Sequence, residues 1–302
     1  MAIELRGVMS AMCTPFTADG REVDEGALRD LVDGTIDAGV SGLVPGGSSG
    51  EFTSLDVEER RRVLEVVVDQ SAGRVPVVAH AGSTSTRQAL ELARHAERAG
   101  ADVVLAVQPY YAPLSLDEVR RYFSELAGAS ALPLVAYNFP ACTGLNLEPD
   151  FLASLAREIE TLAYVKDTTG DLAQVFRLLD EHSADVTVLN GWDSIALPAL
   201  RLGDRVQILG SANVMPRRWV ELFEAVEAGR SDDVEALWSP MLAVARFVIA
   251  EGFVASLKAG ASLAGFPVGE PRAPFNPLSP AKREELRALM VEAGALEQAV
   301  GV

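Results

Sequence analysis

Short apolar segments alternate with amphipathic helical ones from residue 8 to residue 228, and this alternation predicts an α/β fold, a (β/α)8 TIM barrel. Two further observations point the same way. Eight strand-helix units fit into about 225 residues, the size of a closed barrel of this kind. The chief alternative, an open doubly wound sheet, is disfavoured because no Gly-x-Gly-x-x-Gly opens a helix after the first strand.

The expected strands span residues 8–13, 42–44, 75–79, 103–107, 134–137, 162–166, 186–189 and 206–209. The helices that follow them span 24–38, 56–72, 86–99, 115–127, 149–156, 172–179, 195–202 and 216–228. Pro76 after Gly73, and Asp102 after Ala99-Gly100-Ala101, mark helix stops and strand starts. From about Ser231 the strand pattern ends, and only helices are expected, at 232–251, 253–264 and 280–293, with a proline- and glycine-rich connector at 265–279. The expected division is therefore a barrel catalytic domain over residues 1–230 and a C-terminal helical appendage over 231–302 packed on it.

Composition narrows the function. The 302 residues carry a formal charge of −17, which argues against nucleic acid and anionic membranes as partners. No apolar run approaches the ~20 residues that cross a bilayer. The start Met1-Ala2-Ile3-Glu4-Leu5-Arg6 lacks the basic and apolar regions of a signal peptide. Cys13 and Cys142 form no disulfide framework. A cytoplasmic protein acting on a small molecule is expected. His80, His95 and His182 lie far apart without metal-ligand spacing, so no metal is expected.

Lys166 stands out. Only three of the 26 basic side chains are lysines, and Lys166 closes the apolar run Leu162-Ala163-Tyr164-Val165 before the polar turn Asp167-Thr168-Thr169-Gly170-Asp171. Arginine cannot lose its proton near neutrality, whereas a desolvated lysine can, and a neutral amine forms Schiff bases with carbonyl substrates. A lysine that snorkels at a strand end fits the same segment.

Barrel enzymes place their chemistry at the carboxyl ends of the strands. After the second strand, Pro45-Gly46-Gly47-Ser48-Ser49-Gly50-Glu51 is either a flexible turn or a loop whose N–H groups and hydroxyls converge on a carboxylate. It lacks the Gly-Lys-Ser/Thr ending of a phosphate loop. Tyr137 ends the fifth strand, one strand before Lys166, and neighbouring strands are ~4.8 Å apart. It is either a core tyrosine or a proton shuttle for the amine. Tyr110 and Tyr111 sit between Pro109 and Pro113, a loop suited to a subunit interface. The seventh and eighth strands end in Asn190-Gly191-Trp192-Asp193-Ser194 and Gly210-Ser211-Ala212-Asn213, which offer groups for substrate hydroxyls.

Taken in order, these motifs resemble those of the dihydrodipicolinate synthase / N-acetylneuraminate lyase family of class I pyruvate-dependent aldolases, over nearly the whole chain. Gly47-Ser48-Ser49-Gly50-Glu51 is similar to the family's carboxylate loop, Tyr137-Asn138-Phe139-Pro140 to its Tyr-Asn-x-Pro motif, Val165-Lys166-Asp167-Thr168-Thr169-Gly170 to its lysine strand, and Pro109-Tyr110-Tyr111 to the loop that lends a tyrosine to a neighbouring subunit. The resemblance implies that Lys166 forms the imine, that Tyr137 relays protons, and that Ser48 links Tyr137 to Tyr111 of a partner subunit. It implies substrate contacts from Gly47, Ser49 and Gly50, and from Cys142, Thr168, Asp193 and Ser211. It also implies no cofactor, since the protonated imine is the electron sink, and a homo-oligomer built as a dimer of dimers.

Three departures bear on the substrate. Lysine-pathway synthases carry an arginine where this chain has Cys142, and a thiol makes no bidentate ion pair with a carboxylate. The histidines associated with lysine feedback have no match in Val57-Glu58-Glu59-Arg60. Trp192 and Ser194 depart from the sialic-acid lyase pattern. The expected activity is thus cleavage, condensation or dehydration of pyruvate or a 2-oxo-3-deoxy sugar acid. The runner-up is 4-hydroxy-tetrahydrodipicolinate synthase, joining pyruvate to aspartate semialdehyde. A catalytically silent 2-oxo acid binding protein is the reading from another class.

Overall fold

The structure, a computed structural model, describes residues 3–297; Met1, Ala2 and the last five residues of the expected helical region lie outside it. Among the described residues the strands are β1 (Gly7–Ala11), β2 (Gly42–Val44), β3 (Val78–His80), β4 (Val103–Val107), β5 (Leu134–Asn138), β6 (Leu162–Asp167), β7 (Thr187–Asn190) and β8 (Val206–Leu209). The helices between and after them are α1 (Glu25–Asp37), α2 (Val57–Ser71), α3 (Thr86–Ala99), α4 (Leu116–Ala127), α5 (Pro140–Thr143), α6 (Pro149–Glu158), α7 (Leu172–Glu181), α8 (Ala196–Leu202), α9 (Pro216–Glu227), α10 (Ser231–Ala250), α11 (Phe253–Leu263) and α12 (Pro280–Glu292). The strands form one sheet of order β2-β1-β8-β7-β6-β5-β4-β3, in which β1 and β2 pair in parallel, as do β3 with β4, β4 with β5, β5 with β6, β6 with β7 and β7 with β8. The fold is a (β/α)8 barrel, and the C-terminal segment is helical as expected.

Contacts cluster in two compact units. Of the described residues, one comprises 3–6 and Pro76–Ile208, the other Gly7–Val75 and 209–297. In the first, Val103, Val135, Val165 and Leu189 are shielded from solvent, as expected of parallel strands covered on both faces. In the second, α10 packs on α9 and α12, and Trp219, Met241, Val244 and Leu257 form its interior.

Several boundaries shift for local reasons. Residues 75 and 76 do not join the third strand, because Pro76 has no N–H for the ladder, and Val77 makes only a single bridge, its N–H bonding the Asp102 carboxylate at 2.8 Å. The first strand stops before Cys13, whose N–H is held by Asn213 Oδ1 at 2.9 Å. Asp24, Asp56 and Ser115 lie outside their helices as N-caps, the last two in capping boxes with Glu59 and Glu118. Residues 193–195 form a tight 3-10 turn ahead of α8. The sequence reading missed α5, although Pro140 at its first position and Gly144 just beyond it, at φ 71°, are the signals of a short helix.

Candidate active site

Register brings the two strongest sequence candidates together. Tyr137 on β5 pairs with Lys166 on β6, and Lys166 in turn with Leu189 on β7. Side chains on paired residues of adjacent strands project to the same face. Lys166 Nζ accordingly lies 4.3 Å from the centre of the Tyr137 ring, and that ring stacks on Phe139 at 5.7 Å with 15° between planes. Lys166 is 6% exposed. Burial pulls its pKa down to about 8, partly opposed by the carboxylate of Asp193, itself 3% exposed.

This carries a pH prediction. A free amine with pKa about 8 is neutral in roughly one molecule in ten at pH 7, several hundred-fold more than an ordinary lysine. An amine attacks a carbonyl only in its neutral form, so the reaction rate of Lys166 with a carbonyl compound is expected to rise with pH and level off above about 8. Asp193→Asn removes the charge that holds the proton on, and should move the inflection lower. An inflection near 10 in a pH–rate profile would mean that the amine is solvated.

The floor beside the lysine is glycine. A Cβ at residue 191 would stand 2.6 Å from Lys166 Cε and 2.3 Å from Thr168 Oγ1, so only glycine lets the lysine chain lie there. Thr168 is buried, and its hydroxyl has no hydrogen-bond partner among the described residues. Lys166, Tyr137, Thr168 and Asp193 therefore form one cluster at the carboxyl ends of β5, β6 and β7.

Behind it lies a polar network that the sequence reading missed. Asn138 and Asp167, the residues after Tyr137 and Lys166, also pair in register and project to the opposite face. The Asp167 carboxylate accepts from Asn138 Nδ2 at 3.2 Å and Gln174 Nε2 at 2.6 Å, and from the Thr169 hydroxyl. Asn138 also donates to Asn146 Oδ1 at 2.9 Å and to the Leu147 carbonyl at 3.3 Å. Burial raises the Asp167 pKa, and these donors pull it back. The network ties the ends of β5 and β6 together and so sets the spacing of Tyr137 and Lys166. The Asn of Tyr-Asn-x-Pro and the Asp after the lysine were its available signals.

The remaining candidates stand elsewhere. Cys142, on α5, is exposed, with its thiol pKa raised by partial burial. Tyr111 is 90% exposed and borders a surface cavity of about 610 Å³ with Thr84, Pro109 and Arg121. Gly47, Ser48, Ser49 and Gly50 share a loop in the other compact unit, where Ser49 is 3% exposed. That loop is braced from within: Gly50 N–H donates to the Gly47 carbonyl at 3.1 Å, and Thr14 Oγ1 donates to the Gly50 carbonyl at 2.7 Å. Ser211 is fully buried in the same unit, its hydroxyl accepting from the Trp219 indole at 3.0 Å. Asp150, Glu181 and His182 place donor atoms within 4.8 Å of one another, a grouping that histidine spacing did not reveal. Arg177 already pairs with both carboxylates there, at 3.1 and 3.3 Å.

A barrel with a buried, weakly basic lysine at the carboxyl end of a strand is the architecture of a barrel enzyme. The chain belongs to the dihydrodipicolinate synthetase family, whose sequence profile matches residues 4–293. It is 39% identical to a 4-hydroxy-tetrahydrodipicolinate synthase of Methanopyrus kandleri over 99% of both chains, and 38% identical to one of Pelobacter propionicus over 96% of this chain and 99% of the relative. Among solved structures it is similar to YagE of E. coli K12, a family member in complex with pyruvate, at 32% identity and TM-score 0.92, covering 96% of this chain and 99% of that one.

Proposed function

We propose that this protein is a lyase that forms an imine between Lys166 and C2 of pyruvate, or of a larger 2-oxo acid that contains the pyruvate unit. The observation that carries the reading is the buried Lys166 amine, its basicity lowered, set against Tyr137 on the paired strand. The neutral amine attacks the C2 carbonyl, and Tyr137 returns a proton to the oxygen, which leaves as water. The resulting imine, once protonated, draws electrons from C3, so a C3–C4 bond can break or form without a further electron sink. Thr168 offers its free hydroxyl beside the amine, and Asp193 a carboxylate. The loop of Gly47, Ser48, Ser49 and Gly50 supplies the carboxylate recognition in this reading, with Ser48 and the exposed Tyr111 serving proton relay in a homo-oligomer assembled as a dimer of dimers. The same reading keeps residues 1–230 as the catalytic domain and 231–302 as the helical region of a cytoplasmic enzyme, with Ser211 as a further polar contact.

The second substrate turns on Cys142. A thiol at that position gives no bidentate partner to a carboxylate, which favours a hydroxylated aldehyde, as from a 2-oxo-3-deoxy sugar acid. The names of the relatives favour aspartate semialdehyde, and parallel assays with both substrate types separate the two readings. Reductive trapping tests the imine itself. Borohydride added with pyruvate should leave a pyruvate-sized mass on the peptide containing Lys166; an unmodified Lys166 in folded protein would refute it and favour a silent binding protein.

A further inference from the structure

Lys258 takes no part in that chemistry, yet it is the most deeply buried of the three lysines. It lies on α11, and its side chain and that of Glu51 are both 0% exposed. Lys258 Nζ donates to Glu51 Oε1 at 2.9 Å and to the Glu270 carbonyl at 2.9 Å, and it sits 4.0 Å from the centre of the Phe16 ring. Glu51 Oε2 accepts the backbone N–H of Arg272 at 2.8 Å. The Arg272 guanidinium lies 4.2 Å from the same ring, holds both oxygens of Glu59 at 2.8 Å, and donates to the carbonyls of Gly20, Arg21 and Ser54.

A buried ion pair is a weak source of stability, because desolvating both charges offsets their attraction. Such a pair does impose one geometry, and here that geometry bears on a particular backbone. Glu51 directly follows Gly50 and sits at φ 57°, in the left-handed region that costs a non-glycine residue energy and persists only where the surroundings hold it. Glu51 N–H closes the loop onto the Ser48 carbonyl at 3.2 Å, and Phe52 N–H bonds the Gly47 carbonyl at 3.3 Å. The Glu51 side chain is thus the peg of the loop, and the tail residues Lys258, Glu270 and Arg272 are its socket.

We propose that Lys258, Glu51 and Arg272 act as positioning residues that hold loop 46–51 in its carboxylate-binding shape, so that the C-terminal tail sets affinity for the 2-oxo acid. This rests on the carboxylate role given to that loop above. They touch no reacting atom themselves; their loss weakens binding first, and slows the chemical step only as far as Ser48 moves with the loop.

The test compares full-length Lys258→Met, Glu51→Gln and the double variant with the unaltered protein. The readouts are pyruvate KM, kcat, and amide hydrogen exchange across residues 46–51. Small misplacements of a binding group carry large penalties, so KM should rise about 10-fold or more, with faster exchange in the loop and unchanged protection in β5 and β6. kcat at saturating pyruvate should fall by a smaller factor than KM rises, since only Ser48 of this loop serves the proton relay. The double variant leaves no unpaired buried charge, and so remains informative if a single variant fails to fold. Arg272→Ala touches only the outer end of the group and should shift KM in the same direction by less. Folded variants with unchanged KM and loop exchange overturn the proposal, as does a fall in kcat at constant KM. Absence of any pyruvate adduct on the unaltered protein would sink the imine reading alone, while loop exchange in the variants would still decide whether the tail holds the loop.

Discussion

Lys166→Ala is expected to abolish both the trapped pyruvate adduct and turnover, on the order of 10⁶-fold, the scale seen when a covalent nucleophile is removed. No other lysine can substitute for it. Lys258 has no exposure and is locked to Glu51, and Lys282 is bound to Glu251 and Glu285. The fold should survive, because burying the Lys166 amine opposes ionisation and, among the described residues, no hydrogen bond from it anchors the strand. Mass spectrometry after borohydride treatment, with a thermal melt as control, checks both points. A persisting adduct on another peptide would remove Lys166 from the mechanism.

Tyr137→Phe is the second large effect. Phenylalanine keeps the ring under the Lys166 amine at 4.3 Å and the stack on Phe139, so packing and the lysine's burial stay nearly constant. Only the hydroxyl is lost. Imine formation and C–C bond cleavage should both slow by roughly 10²–10⁴-fold, the range of a positioned acid-base group. The adduct should still form, slowly, at Lys166. Rapid-quench trapping reads the rate of adduct formation, and the pH inflection near 8 should stay in place because the amine's surroundings are unchanged. An unaltered trapping rate would leave Tyr137 a packing residue only.

The barrel was legible because its determinants are local. Apolar runs of strand length, helix caps such as Asp56 with Glu59, and the glycine and proline stops all act within a few residues, and the corresponding elements formed where expected. Boundaries failed where a distant group intervened. The Asp102 carboxylate takes the N–H of Val77, and Asn213 takes that of Cys13, bonds that span 25 and 200 residues. The same division runs through the candidate site. Lys166 was visible because lysine is rare here and chemically odd in an apolar strand, and Tyr137 because it ends the preceding strand. The Asp167 network was invisible because its members, Asn138, Asn146, Asp167 and Gln174, are ordinary polar residues until register and a helix bring them together.

The sequence by itself thus determined the alternation of strand and helix, the helical tail, and the identity of the nucleophile candidate, since propensity, periodicity and residue chemistry are properties of short segments. Tertiary structure alone decided how acidic that lysine is, why residue 191 must be glycine, and that Lys258 closes on Glu51 across 207 positions of sequence. Desolvation, close approach and ion pairing depend on distance in space, and spacing along the chain does not encode it.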